Sequence, residues 1–312
     1  MNSGYTYHDV VKQRFAGVAI LNYYVARYPK FGRAEWLARF ACAQIQINDQ
    51  IASPEIVLRA GDRLAYGRPP WEEPPVPTHL PVVFEDNDLL AINKPAGIPV
   101  LPGAGFLQNT VVRLLRSCCD EWRRLSPIHC LDRGTSGLLL LGKNAEVRSA
   151  LGRALQKRRV IRLYRAVLDG LVAGDEFSIE APIGLESHPR LGPIHVASPA
   201  GKPSRTDFRV LDRDETTRTT LVRAAPHTGR THQIRIHAAV AGHPLAGEPF
   251  YVAGGRWDGE AAARAERIPL PGECGYRLHA WQLELSHPRT GAPVRLICSP
   301  PDGLWIRPIA AE

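Results

Sequence analysis

The chain has 312 residues, of which 44% are apolar and 22% charged, a composition typical of a folded globular protein that excludes a disordered or fibrous chain. This length accommodates a large catalytic domain and a small accessory domain. No apolar run reaches the roughly 18 residues of a membrane-spanning helix, and residues 1–13 lack the apolar segment of a secretory signal, so we expect a cytoplasmic protein.

Charge and cysteine content narrow the class of partner. A net charge of +8 permits attraction to a phosphate backbone without demanding it, and the basic segment 153–165 fits a solvated surface as well as an RNA-facing one. The six cysteines form no C-x-x-C pair, and the eleven histidines form no zinc-binding pattern. We therefore expect reduced thiols and no bound metal ion.

A proline-rich segment divides the chain. Residues 68–77 read RPPWEEPPVP, and because proline fixes φ and removes backbone donors, this segment is predicted to be an extended connector. We accordingly expect a first domain at residues 1–67, a linker at 68–80 and a main domain at 81–312.

The first domain contains a helical pattern at residues 36–40, a strand at 45–47 that ends in a polar turn, and a last segment at 58–64. This order is similar to the alpha-L RNA-binding fold first seen in a small-subunit ribosomal protein, which implies a small amino-terminal RNA-binding domain. Ala43 and Asp49 stand where that fold usually has glycines beside its central strand. A structural cap on the main domain is the alternative interpretation.

The main domain is predicted to be rich in strands. One helix begins after Asn144, a good N-cap residue, and a second runs from near Thr231 to Gly242, a residue suited to the position after a helix end. Because the strands do not alternate strictly with helices, the pattern favours an α+β domain on a largely antiparallel sheet. The strand patterns lie at residues 82–84, 89–93, 137–142, 160–168, 206–211, 219–225 and 278–286.

The most informative segment is residues 129–141, HCLDRGTSGLLLL. Its polar half contains Asp132, and its apolar half is predicted to be a buried strand. A carboxylate at the mouth of a buried strand is partly desolvated and needs a cationic partner to stay ionised. From these residues alone, Asp132 is either a catalytic group or a turn residue that accepts backbone hydrogen bonds.

Several segments of the main domain, in the expected order, resemble those of the RluA-type RNA pseudouridine synthases. The second and fourth of them are highly specific, since they match the family's H-R-L-D-x-x-T-S-G-L and G-R-T-H-Q-I-R-V-H motifs. The segments are KPAG at 94–97, HCLDRGTSGLLLL at 129–141, RLYRA at 162–166, GRTHQIRIH at 229–237, LHA at 278–280 and HPRTG at 287–291.

This resemblance implies the pseudouridine synthase fold, with a mostly antiparallel mixed central sheet, and isomerisation of uridine in structured RNA. It implies that Asp132 is the nucleophile, that Tyr164 packs on the uracil, and that Arg235 pairs with the carboxylate and keeps it ionised. The reaction transfers no electron and loses no group, so we expect neither metal nor cofactor. Whether Asp132 attacks C1′ of the ribose or C6 of the uracil stays open.

Further residues are expected to contact the substrate or the RNA backbone. Arg230 and His232 lie near a helix N-terminus, which favours phosphate binding, and we interpret His129 as a hydrogen-bonding residue beside the nucleophile. The partner is expected to be ribosomal or transfer RNA, bound by a monomer. The expected substrate- and RNA-binding residues are Lys94, His129, Arg133, Arg162 and Arg230.

Several positions depart from the family pattern, among them Leu101-Pro102 where the family often has His-Pro. Cys130 stands where the family has an arginine proposed to displace the target nucleotide, so either Arg133 substitutes, or the uridine is already unstacked, or activity is weaker. Gly134 replaces a polar residue, and Glu248 replaces an aspartate without touching the proposed chemistry. The alternative functions are a catalytically weak RNA-binding or ribosome-assembly factor and a carboxylate-based N-glycosidase.

Overall fold

A computed structural model describes residues 1–28, 31–103, 105–259 and 270–304. The chain divides into one unit of Met1–Glu73 with Glu186–Ile194, and a second of Pro74–Leu185 with His195–Glu312. Within the described ranges, no helix combines the length and apolar character needed to cross a bilayer.

The first unit is built on a four-stranded sheet of order β1-β4-β2-β3. The predicted helix and central strand are confirmed, whereas β1 and α1 were not predicted. Ala43 and Asp49 adopt positive φ, at 54° and 69°, so the turns keep a left-handed geometry although neither residue is glycine. The elements are β1 (Tyr5–Val10), α1 (Ile20–Arg27), α2 (Arg33–Ala41), β2 (Ile45–Ile47), β3 (Gln50–Ile51) and β4 (Arg63–Arg68).

The remaining strands and helices lie in the second unit, apart from the parts of two strands within Glu186–Ile194, which belong to the first unit. They are β5 (Val82–Glu85), β6 (Leu89–Lys94), α3 (Val111–Cys118), β7 (Ser126–Pro127), β8 (Ser136–Gly142), α4 (Ala145–Gln156), β9 (Ile161–Asp169), β10 (Glu176–Ile179), β11 (Ile183–His188), β12 (Gly192–Ala197), β13 (Thr206–Asp214), β14 (Thr219–Pro226), α5 (Gln233–Val240), β15 (Leu278–Ser286) and β16 (Pro293–Ile297).

A ten-stranded sheet organises this unit. Its main path runs β10-β13-β14-β9-β15-β8-β6-β5, with β16 paired to β15 and β7 to β8. Among the described residues, β15 and β8 pair in parallel and the other neighbours are antiparallel. The expected α+β class with a mostly antiparallel mixed sheet is therefore confirmed.

The buried strand and both predicted helices are confirmed as well. Residues 138–141 of β8 are at most 2% exposed, because both faces of this strand are covered. Asn144 caps α4 by accepting a hydrogen bond from the backbone of Val147 at 2.9 Å. Gly242, with φ of +82°, follows the end of α5. Helix α3, capped by Thr110, was not predicted.

Candidate active site

A cavity of about 630 Å³ opens in the second unit. Its walls come from the loop between β7 and β8, the end of α4 with the start of β9, and the loop between β14 and α5. These three segments contain the specific motifs of the sequence, and the sheet brings them together although about 100 residues separate the first from the last. Among the residues that line the cavity are Cys130, Asp132, Arg158, Arg162, Tyr164, Arg230, His232 and Arg235.

Asp132 lies in the loop before β8, and its side chain is 28% exposed. Its backbone carbonyl accepts a hydrogen bond from Thr135 N at 3.1 Å, and the next carbonyl, of Arg133, accepts one from Gly97 N at 2.8 Å. The loop is thus held by its backbone. With the described residues the carboxylate makes no hydrogen bond, so its lone pairs face the cavity.

Lys94 is fully buried and therefore not placed to contact RNA, which corrects the expectation. The side chain is 0% exposed, and its Nζ donates to the carbonyl oxygens of Pro95, Ile98 and Arg133 at 2.9, 3.0 and 3.3 Å. Burial lowers the pKa of Lys94 to about 7. A buried amine with three carbonyl partners ties the KPAG segment to the nucleophile loop.

Arg235 pairs with Glu248 and not with Asp132, which corrects a second expectation. Its Nε and Nη2 donate to the two carboxylate oxygens of Glu248 at 2.8 and 2.5 Å, and Nη1 donates to the carbonyl of Pro271 at 2.6 Å. Both side chains are almost fully buried, at 0% and 2% exposure. Burial is the largest single effect and lowers the pKa of Arg235, but the hydrogen bonds to Glu248 and the nearby charges of Tyr276, Glu248 and Asp132 together raise that pKa.

Glu248 fixes the guanidinium of Arg235, a structural role that was not expected from the sequence. In addition to its bond with Arg235, the Oε1 atom of Glu248 accepts hydrogen bonds from the backbone nitrogens of Phe250 and Tyr251 at 3.1 and 3.3 Å. These bonds fix the position of Arg235. The charge of Asp132 is also close enough to contribute to the raised pKa of Arg235.

Tyr276 was missed by the sequence analysis, and it links Arg235 to the nucleophile loop. The guanidinium of Arg235 lies 4.2 Å from the centre of its ring, and its hydroxyl is 3.3 Å from Thr135 Oγ1. A Cβ at Gly134 would come within 2.8 Å of this ring, which explains the glycine at a position where the family has a polar residue. Tyr276 lies outside every motif, and only the unusual glycine at 134 hints at it.

Tyr164 lies on β9 in the cavity wall and is 7% exposed. In register it stands between Ala224 of β14 and Ala280 of β15, so small neighbours leave its ring open to the cavity. Burial raises the pKa of Tyr164, and the charge of Asp132 adds to that effect. The phenol therefore keeps its proton at neutral pH.

The loop between β14 and α5 is organised by Gln233, which is 4% exposed. Its Nε2 donates to the carbonyl of Arg205 at 2.9 Å, and its Oε1 accepts from the backbone N–H of Arg230 at 3.1 Å. Because this buried amide fixes the loop, the side chains of Arg230 and His232 enter the cavity from a rigid support.

His232 has a left-handed backbone, with φ of 57°, and its imidazole lies between two groups. Nδ1 is 2.7 Å from the hydroxyl of Tyr251, and Nε2 is 3.8 Å from Oδ1 of Asp132. Burial lowers the pKa of His232 to about 4, so the ring is neutral at pH 7. The carboxylate thus has no cationic partner within 4 Å among the described residues.

Of the remaining expected residues, two arginines line the cavity. Arg162 donates to the carbonyl of Thr228 at 3.0 Å, and Arg230 donates to that of Pro203 at 3.3 Å. Neither makes an ion pair with a described residue, so both leave a positive charge at the cavity wall. This placement is compatible with their expected contact with RNA phosphates.

Arg133 points elsewhere. Its Nε donates to the carbonyl of Gly272 at 3.0 Å, and its guanidinium lies 5.5 Å from the centre of the Phe106 ring. It is not among the residues that line the cavity, whereas the exposed Cys130 is. Cys130 stands where the family has an arginine. The structure gives no support to the idea that Arg133 takes over the role of that arginine.

His129 hydrogen bonds within the protein, as expected. Its Nε2 accepts a hydrogen bond from the backbone of Leu140 in β8 at 3.3 Å. Burial lowers the pKa of His129 to about 4, so the neutral ring keeps this acceptor role at physiological pH. The contact joins the start of the nucleophile loop to the buried strand that follows it.

Neutral histidines that are partly or fully buried predict an acid-sensitive fold. Burial lowers the pKa of His129, His232 and His279 to about 4, whereas an unfolded histidine titrates near pH 6.5. Between these values the unfolded chain binds more protons, so the free energy of unfolding decreases as the pH falls from about 6.5. Urea titrations at pH 7.5, 6 and 5 should show a midpoint that drops progressively; an unchanged midpoint would contradict the neutral rings.

The chain is similar to known proteins over most of its length. The RNA pseudouridylate synthase family model matches residues 88–240. RNA pseudouridine synthase 5 of Arabidopsis thaliana is 38% identical over 91% of this chain and 89% of its own length. Ribosomal large subunit pseudouridine synthase D of Neisseria meningitidis serogroup B is 34% identical over 89% of this chain and 74% of its own. The solved structure of human RNA Pseudouridylate Synthase Domain Containing 1 aligns with a TM-score of 0.53 at 27% identity, covering 74% of this chain and 86% of that one.

Proposed function

Because this chain belongs to the RluA-type family of RNA pseudouridine synthases, isomerases that act on RNA, we propose that it converts specific uridines of ribosomal RNA to pseudouridine with Asp132 as the nucleophile. The name of the Neisseria relative, a ribosomal large subunit pseudouridine synthase, supports ribosomal RNA as the substrate. Transfer RNA is the alternative substrate that the same assay tests.

The reaction needs one reactive carboxylate and an enclosed space. The N1–C1′ bond breaks, the base rotates, C5 joins C1′, and the proton at C5 is released while N1 gains one, so atoms and electrons balance without a further reactant. Attack at either C1′ or C6 requires an ionised oxygen with free lone pairs. The detached base must also be retained, which a walled cavity achieves.

One observation carries this proposal. The Asp132 carboxylate faces a cavity of about 630 Å³, large enough for a nucleotide, and the described residues leave its oxygens without hydrogen bonds. A structural aspartate in a turn would spend those lone pairs on neighbouring backbone N–H groups. Lys94 and Gly97 instead hold the loop through hydrogen bonds to the carbonyl of Arg133. The side chain of Asp132 therefore stays available to a substrate.

Tyr164 and Arg235 support the nucleophile in different ways. In this proposal the phenol ring of Tyr164, open to the cavity between two alanines, packs on the uracil face. Arg235 places a positive charge near Asp132, and its contacts with Glu248 and Tyr276 fix its position. The Asp132 carboxylate has no close ion pair with a described residue that would compete with its attack.

The RNA backbone is proposed to lie against three arginines of the cavity wall. Arg162 and Arg230 are anchored by carbonyl oxygens, and Arg158 is exposed at the end of α4. Guanidinium groups bind phosphate in a geometry that a lysine cannot reproduce. These charges can bind the phosphates of the nucleotides that flank the target uridine. Cys130 has no positive charge and cannot contribute to this binding.

Arg158 supplies a separate test. It occupies the position after α4 where the backbone of Arg159 bonds to the carbonyl of Ala154, a termination that favours glycine, and its φ is +56°. Arg158→Gly should therefore leave the free energy of unfolding unchanged or raise it by up to about 1 kcal/mol, yet weaken RNA binding severalfold and lower its salt dependence.

The measurement for Arg158 combines thermal unfolding with RNA affinity at two salt concentrations. Arg124→Gly, which alters a basic residue that does not line the cavity, serves as the charge-matched control. Equal RNA affinity and equal salt dependence for both variants would remove Arg158 from the RNA-binding surface.

The function itself is tested by nucleoside analysis. The protein is incubated with uridine-labelled ribosomal RNA and, separately, transfer RNA from cells that lack it, and the digests are examined for pseudouridine and free uracil. Pseudouridine in ribosomal RNA supports the proposal, and its appearance in transfer RNA alone reassigns the substrate. Binding without conversion of any cellular RNA would favour the assembly-factor alternative, and free uracil would favour the N-glycosidase.

A further inference from the structure

His232 is held in a conformation that ordinary residues avoid. Its φ of 57° places it in the left-handed region, just before α5, and a non-glycine residue there costs about 1–3 kcal/mol unless its surroundings impose the geometry. The loop is fixed by Gln233, and the imidazole is only 13% exposed. The strained backbone thus sets the position of one ring within the cavity.

The hydrogen bonds of Tyr251 determine which nitrogen of this ring bears the proton. The hydroxyl of Tyr251 donates to the carbonyl of His195 at 2.9 Å, and a carbonyl can only accept. Since a phenol has a single proton, its oxygen must accept at its 2.7 Å contact with His232 Nδ1. Nδ1 therefore carries hydrogen, and Nε2 presents a lone pair.

Two acceptors consequently meet in the cavity. Nε2 of His232 lies 3.8 Å from Oδ1 of Asp132, and neither atom has a donor among the described residues. Burial keeps the ring neutral by lowering the pKa of His232 to about 4, so the pair is not an ion pair at pH 7. Two lone pairs at this distance form a site for a group that donates a hydrogen bond.

The donor nearest to the reacting atoms is a hydroxyl. A uridine placed for attack by Asp132 offers two donors, the ribose 2′-hydroxyl and the N3–H of the base. The 2′-hydroxyl is attached to the carbon next to C1′, whereas N3–H lies across the ring from C6 and the glycosidic bond. A group beside Asp132 that needs a donor within hydrogen-bond distance therefore fits the hydroxyl.

We propose that Nε2 of His232 accepts a hydrogen bond from the 2′-hydroxyl of the target uridine and makes the site selective for ribonucleotides. This inference rests on the proposed function of the same cavity. Because a hydroxyl has one proton, its bond to His232 also prevents it from donating to Asp132, which leaves the carboxylate free to attack. His232 thus recognises the sugar and positions it for the reaction.

The test uses two RNA oligonucleotides that contain one uridine the protein converts, located by mapping pseudouridine along the ribosomal RNA. They differ at that nucleotide alone, which carries ribose in one and 2′-deoxyribose in the other. Single-turnover rates of pseudouridine formation are measured for the wild type, His232→Asn and His232→Gln. Asparagine tolerates positive φ and can donate to Tyr251 but has no acceptor at the place of Nε2, whereas glutamine can bring an amide oxygen close to it.

The wild type should favour the ribose substrate by about tenfold or more, the usual consequence of losing a hydrogen bond to a buried group. His232→Asn should lower the rate on ribose by a similar factor, leave the rate on deoxyribose nearly unchanged and so reduce the ratio about tenfold. His232→Gln should restore part of the preference. Because the ratio is compared between variants, any intrinsic effect of the deoxyribose on the chemistry cancels.

The outcomes separate this inference from the proposed function. If the wild type makes no pseudouridine on the ribose oligonucleotide, the proposed function fails and the inference fails with it. If the wild type is active but shows no preference, or if His232→Asn lowers both rates equally, the inference alone is overturned, because His232 then serves only the structure of the loop.

Discussion

Asp132→Asn is expected to abolish pseudouridine formation, with a rate loss on the order of 10⁴-fold or more, as is typical when a covalent nucleophile is removed. The substitution keeps the size of the side chain but removes its negative charge. The carboxylate makes no hydrogen bond with the described residues and only a 3.8 Å approach to His232, so the fold and the RNA affinity should change little.

The measurement pairs single-turnover rates at saturating enzyme with the dissociation constant for the same RNA. Asp120→Asn is a matched control, because this aspartate is 83% exposed and pairs with Arg123 on the surface. We expect the control to behave as the wild type in both assays. A loss of RNA affinity in Asp132→Asn that accounts for its loss of rate would instead assign Asp132 to binding.

The second large effect is expected at the buried ion pair. Arg235→Met should lower the free energy of unfolding by about 3–5 kcal/mol, because it leaves the charge of Glu248 buried and unpaired. Glu248→Gln should lower the free energy of unfolding by a similar amount, because it leaves the charge of Arg235 buried and unpaired. The double variant should be less destabilised than the sum of the two, since neither charge then remains alone.

Urea unfolding of the four proteins gives this coupling, and rates on RNA show whether the pair also serves catalysis. Glu248→Gln should slow the reaction even where it is fully folded, because it loosens the guanidinium that acts on Asp132. Additive destabilisation together with an unchanged rate would mean that Arg235 and Glu248 are neither coupled nor connected to the nucleophile.

Much of the main domain is predictable from local patterns. The four leucines at 138–141 indicate a strand covered on both faces, and Asn144 indicates the helix that follows, because an N-cap and an apolar face act within one or two turns. The short helix α3 was missed: its eight residues, VVRLLRSC, contain β-branched and leucine residues that read equally well as a buried strand.

The partners of charged side chains were less predictable. Arg235 was expected at Asp132, but it pairs with Glu248, 13 residues further along the chain, and no local pattern shows which carboxylate a buried guanidinium meets. Lys94 illustrates the same difficulty. Its charge suggested RNA, whereas the three carbonyl oxygens that hold it come from turns whose shape depends on tertiary contacts.

Residues outside the motifs could not be found by spacing alone. Tyr276 acts through its packing on Gly134, which is 142 positions earlier in the sequence, and Tyr251 acts through one hydroxyl between His232 and a carbonyl. The sequence did contain one indirect signal, since the glycine at 134 departs from the family pattern. A lost side chain at a conformationally ordinary position indicates that another group occupies the space.

The most direct test of the account is tritium release from ribosomal RNA labelled at C5 of uridine, followed in parallel with free uracil. Because C5 must exchange its hydrogen for the bond to C1′, the wild type and Asp120→Asn should release one tritium for each pseudouridine formed, without free uracil. Asp132→Asn should release none. Free uracil without tritium release, or tritium release by Asp132→Asn at the wild-type rate, would contradict isomerisation by this aspartate.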